Sequence, residues 1–113
     1  MAEPYAVPAT ILVGATESNE VELNGTVPVG IYVPAGAEGV TLTFKASADE
    51  GGTKVPVVDI ANVAYSVTIG ATASYVSIAG AVFKGVHYLT VVAAQQAGSD
   101  LNLILSCRPG NEA

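Results

Sequence analysis

Apolar residues recur at every second position in one short run after another, and almost every run stops at Gly, Pro or Asn. Val40, Leu42, Phe44 and Ala46 alternate with Thr41, Thr43, Lys45 and Ser47. Tyr65, Val67 and Ile69 do the same around Ser66 and Thr68, and Leu101, Leu103, Leu105 and Cys107 share one side of the last run. In a strand, successive side chains point to opposite faces, so this period is that of a half-buried sheet. Two runs, 11–13 and 86–92, are nearly continuous and β-branched, which predicts strands covered on both faces. No window carries a capped 3.6-residue repeat, so helix is confined to a single turn around 79–84.

The punctuation predicts how the strands connect. Asn24-Gly25 between the runs 20–23 and 27–33 has the composition of a two-residue hairpin, whose turn needs positive φ. Asp49-Glu50-Gly51-Gly52 predicts a second turn, leading into a strand over 55–59. Pro28 and Pro56 lack a ladder N–H and belong on edges, at strand starts or at bulges. About eight strands at roughly 8–12-residue spacing predict an all-β domain over 1–113, a β-sandwich or jelly-roll-like barrel of antiparallel strands. The ends, 1–8 with Pro4 and Pro8 and 108–113, read as an extended arm and a short tail.

Composition narrows the function classes. Four Lys and Arg stand against ten Asp and Glu, a net charge of −6, with no basic cluster. That excludes a protein that tracks nucleic-acid phosphates. Charged residues make up 12 %, about half the ~25 % of an ordinary soluble domain, so the charge coat is thin. One Cys and one His exclude a disulfide framework within the chain and a multi-cysteine zinc site. The apolar runs fall far short of the ~20 residues of a membrane helix, and residues 1–8 do not read as a signal peptide.

The residues able to carry chemistry do not assemble into a reactive set by spacing. His87, the sole imidazole, lies among Val86, Tyr88 and Leu89 and reads as a packing residue rather than a general base. Cys107 falls in phase with three leucines and reads as buried and inert. Glu17, Glu20, Glu22, Asp49 and Glu50 lack calcium-loop spacing and read as solvated loops. Asn24-Gly25-Thr26 is formally a glycosylation acceptor but fits a turn better, and the 49–53 loop lacks the Lys and helix of a phosphate cradle. Tyr5, Tyr32, Tyr65, Tyr75 and Tyr88 fit interface or core anchoring, with sugar stacking as the other use. No catalytic, cofactor-binding or metal-binding residue is assigned, and the expected protein is not an enzyme.

One segment resembles a known group. Phe44-Lys45-Ala46-Ser47-Ala48-Asp49-Glu50-Gly51-Gly52-Thr53, followed by Val55-Pro56-Val57-Val58-Asp59, is similar to a pattern in small virion proteins of tailed bacteriophages. The stretch from Ala81 to Leu89 and the closing Leu101-Asn102-Leu103-Ile104-Leu105-Ser106-Cys107-Arg108-Pro109 resemble their later strands. The chain departs from that pattern at Lys54, Val58 and His87. The resemblance implies a non-enzymatic head-decoration (cement) protein on the capsid surface of the virion, present in the host cytoplasm during assembly. Its implied partners are the major capsid protein and further copies of itself, as a homotrimer, with no nucleic acid and no membrane. A tail-associated receptor- or carbohydrate-binding module of the same fold is the alternative.

Overall fold

The computed structural model describes residues 5–23, 25–34, 40–69, 74–94 and 100–109. Among them run β1 (Tyr5–Ile11), β2 (Val21–Glu22), β3 (Thr26–Tyr32), β4 (Thr41–Ser47), β5 (Val55–Pro56), β6 (Ser66–Thr68), β7 (Tyr75–Ser77), β8 (Tyr88–Ala93) and β9 (Leu101–Pro109). One 3-10 turn, Gly80–Phe83, falls where the sequence predicts helix. Two antiparallel sheets form, one in the order β1-β9-β3-β7 and the other β2-β8-β4-β5, with β6 also on β4. β5 and β6 pair with successive halves of β4 and act as one broken strand. With that pair counted once, the orders describe two interlocked Greek keys, the double-sheet jelly roll.

The alternating residues meet between the sheets. Ile11, Ile31, Leu103 and Leu105 from one sheet and Leu42, Phe44, Leu89 and Val91 from the other are almost fully buried. Phe83, delivered by the 3-10 turn, stands edge-on to Phe44 at 5.0 Å and to Tyr65 at 5.6 Å between ring centroids. The Tyr65 hydroxyl accepts the Ala79 N–H at 2.9 Å, which anchors the start of that turn. An aromatic trio therefore closes the core where the broken strand leaves the sheet incomplete.

Several expectations need correction. Asn24-Gly25 does not join paired strands: β2 pairs with β8 and β3 with β7 and β9, so the chain crosses here from one sheet to the other. Gly25 has φ +79° and the Thr26 N–H reaches the Leu23 carbonyl, a tight turn that serves a crossing as well as a hairpin. Asn24 lies outside the described residues. The expected N-terminal arm is β1 from Tyr5 onward, paired with β9 from Tyr5↔Cys107 to Ile11↔Leu101. Pro8 does not break this pairing, because its nitrogen faces the open side of an edge strand. Residues 1–4 and 110–113 lie outside the described residues, while Arg108 and Pro109, expected in the tail, belong to β9. Of the run 11–13 only Ile11, the last residue of β1, lies in a strand; Leu12 and Val13 are exposed in a turn closed by Gly14 at φ +81°. The expected strand over 55–59 pairs as β5 only at Val55–Pro56. Pro28 sits at a bulge between Pro28 and Gly30, one of the places open to it.

Candidate functional site

The outer face of the four-stranded sheet is the most coherent exposed surface. Cross-strand register places Pro8 beside Ile104, Ile104 beside Tyr32, and Tyr32 beside Tyr75, so one apolar row crosses all four strands. Tyr32 is 53 % exposed, Tyr75 46 % and Ile104 40 %. The next row outward in register is made of small residues: Ala6, Ser106, Gly30 and Ser77. Beyond the apolar row, Thr10 and Asn102 pair on the other side. With strands ~4.8 Å apart, these rows cover on the order of 400 Å². Among the described residues the only charge in this outward register is Arg108; every described carboxylate lies on other elements.

Tyr75 gives this face its relief. Its phenol lies across Gly30, in the space that a Cβ at that position would occupy. The Tyr75 ring meets Tyr32 at 4.8 Å between centroids with a 56° tilt. The two rings share no plane, so they form a ridge rather than a flat stacking platform.

A second apolar feature projects from the other sheet. Between β5 and β6 the chain leaves β4 as a small hairpin, bridged at Val58↔Ala64. The Asn62 N–H reaches the Asp59 carbonyl at 2.9 Å, and the Asp59 N–H reaches the Val63 carbonyl at 2.9 Å. The Asp59 carboxylate accepts the N–H groups of Ala61 and Val63 at 2.9 and 3.0 Å. Asn62 takes φ +65°, which a short carboxamide side chain tolerates. This rigid turn leaves Ile60 fully exposed, with Val58 and Val63 also exposed beside it. A shallow cleft of about 450 Å³ lined by Val58, Asp59, Ile60, Ala81 and Val82 lies alongside.

The residues singled out from sequence are distributed differently. His87 is exposed just before β8 and shares a cleft of about 300 Å³ with Glu22, Gly25, Ala48 and Tyr88. Cys107 is buried in the core, and burial pushes its thiol above the ordinary range, against a smaller lowering by a hydrogen bond with Thr26. The glutamates do more than line solvated loops. Glu17 bonds the Lys45 ammonium at 2.8 Å and lies 3.5 Å from that of Lys54. Glu20 accepts the Gly51 N–H at 2.9 Å, tying the lead-in to β2 to the β4–β5 turn. Burial, and then the carboxylates of Glu22, Glu50, Glu20 and Asp49, raise the Tyr88 phenol above its ordinary value. No group of three His, Cys, Asp or Glu side chains is placed to hold a metal ion among the described residues.

Of the tyrosines, Tyr65 packs in the core and Tyr32 and Tyr75 stand on the sheet face; the side chain of Tyr5 lies outside the described residues. The face was invisible in sequence because its apolar row draws on residues from 8 to 104, each unremarkable alone. The hairpin left a local trace in Asp59-Ile60-Ala61-Asn62, an Asx-type turn signal.

Fold and surface together define a small all-β jelly-roll module whose outer four-stranded sheet face carries a single charge, Arg108, among the described residues. Among solved structures the chain is similar to the crystal structure of the SPBc2 prophage-derived protein YomS, with TM-score 0.54 and 14 % identity over 96 % of this chain and 97 % of that one. At that identity the likeness establishes a shared fold. No protein-family model matches the chain, and no curated protein does.

Proposed function

We propose that this protein is a bacteriophage structural protein that decorates the assembled head, stabilising the capsid through contacts repeated over its lattice. The observation that carries the reading is the outer sheet face with its apolar Pro8–Ile104–Tyr32–Tyr75 row and, among the described residues, the single charge of Arg108. A lattice protein gains affinity by repeating one modest contact many times, so it needs a contact face more than a pocket. Contiguous exposed apolar residues on a small protein are often functional, and this row is contiguous across four strands. The likeness of fold to a prophage-derived protein and the resemblance of 44–59 to virion proteins support the same source. The jelly roll also serves viral capsid and lectin domains, a fold-level analogy only.

In this reading the partners are the major capsid protein and further copies of the chain, assembled as a trimer. The protein passes through the host cytoplasm during assembly and ends on the capsid surface. Nucleic acid and membrane play no part, and no catalysis is involved.

The test is a reconstruction of the virion, together with co-sedimentation of purified protein with heads that lack it. Density at capsid lattice points and saturable binding to heads are the expected results. Density confined to the tail tip overturns the reading in favour of a tail-associated receptor- or carbohydrate-binding module. Absence from the virion overturns both.

A further inference from the structure

We infer that the hairpin carrying Ile60 on one copy docks on the outer face of the four-stranded sheet of the next copy, a head-to-tail contact between two unlike surfaces. The inference deepens the oligomeric part of the function proposed above and rests on it.

Two apolar features stand exposed at separate places in the fold, with no partner among the described residues. One is convex: Ile60 at the tip of a turn that leaves the β4 edge. Its backbone is held by four hydrogen bonds before any partner arrives, so docking it costs little ordering. The other is a ridge with a step beside it: the Tyr75 phenol covers Gly30, and next to the Tyr32–Ile104 row the small residues Ala6 and Ser106 leave room against which a branched side chain can lean. The described charges also match, because the hairpin carries Asp59 and the face carries Arg108. A chain of net charge −6 can therefore meet its own copy here without bringing acidic clusters together.

Area favours unlike surfaces over like ones. A face of ~400 Å² is about half of the ~800 Å² per partner in a stable interface. In a closed ring each copy contributes its hairpin to one neighbour and its face to another, so it uses both features. A two-fold contact through the face alone leaves the Ile60 hairpin unused.

The experiment uses Ile60→Asp and Tyr32→Lys variants, with Arg108→Glu as a second face variant, after circular dichroism shows each to be folded. Wild type should scatter light as an oligomer, and each variant alone as a monomer of 11.3 kDa. An equimolar mixture of Ile60→Asp with either face variant should show twice the monomer mass. The first keeps an intact face and the second an intact hairpin, so one contact forms and the ring stays open. Retention of the wild-type mass by Ile60→Asp, or a mixture that stays monomeric, overturns the inference. A monomeric wild type that still decorates heads overturns this inference alone. An oligomer that passes the mixing test but ignores heads and virions supports the contact and overturns the function proposed above.

Discussion

The Asn19 carboxamide stands beside β1 as a neighbouring strand would: its Oδ1 accepts the Thr10 backbone N–H at 2.8 Å, and its Nδ2 lies 3.5 Å from the Pro8 carbonyl oxygen. β1 is an edge strand of seven residues, the longest edge in the described molecule. Pro8 removes one outward donor, and Asn19 occupies the next donor and an acceptor. The other edge strands are two or three residues long. Strand addition along β1 is thus hindered between Pro8 and Thr10.

Replacing Asn19 by Ala frees the Thr10 N–H and the Pro8 carbonyl to solvent. Because the site is exposed, the expected loss in urea unfolding is about 0.5–1 kcal/mol. The bared edge should also raise slow aggregation, followed by light scattering at fixed concentration. A variant equal to wild type in both measurements shows that Asn19 does not guard the edge.

The Cys107 thiol should resist labelling in the native protein and react on unfolding. Burial raises its pKa, so the folded state favours the neutral thiol. Its contribution is therefore full below the ordinary thiol pKa of about 8.5 and declines as the pH rises from there through the raised native value. Cys107→Ser should destabilise by roughly 1–3 kcal/mol through a poorly satisfied hydroxyl in an apolar site. Rapid stoichiometric labelling of folded protein contradicts the placement.

Glu17 links two lysines from β4 and the following turn, and its pKa is lowered first by the hydrogen bond from Lys45 and further by both lysine charges, against a raising by burial. A lowered carboxylate stabilises above the ordinary Glu pKa of about 4.3 and loses that contribution as the pH falls through the native value. Both bridging side chains of the shorter pair are 37 % exposed, so solvent screening limits the effect. Glu17→Gln should cost roughly 0.5 kcal/mol at neutral pH and nothing once the carboxyl is protonated. Urea titrations at pH 7 and pH 2.5 should show that difference; equal losses at both values point to packing instead of charge.

Asn62 at φ +65° holds the hairpin that presents Ile60. Asn62→Ala should lower stability by about 1 kcal/mol, since a Cβ without a local polar group is strained in that region. Asn62→Gly should be close to neutral. Thermal melting separates the two, and equal melting temperatures for Ala and Gly show that the turn rearranges without penalty.

Much of the fold was legible in residue order. Alternation identifies the inward residues of β4 and β9, including Cys107, because a period of two leaves a strand only two choices of face. The glycines at 51 and 52 mark a true hairpin turn, and the absence of a 3.6-residue repeat limits helix to the turn that delivers Phe83.

What sequence left open is which strands pair. The backbone ladder reads no side chains, so Asn24-Gly25 is compatible both with a hairpin and with the sheet-to-sheet crossing that the structure adopts. The choice follows from burying all the alternating faces at once, which sends β2 to β8 and β3 to β9. The same global pairing decides that Pro8, Ile104, Tyr32 and Tyr75 lie in one row, and that a broken strand on β4 pushes Ile60 outward. Local pattern determined the strands and their inner faces, whereas the outer surface exists only once distant strands are in register.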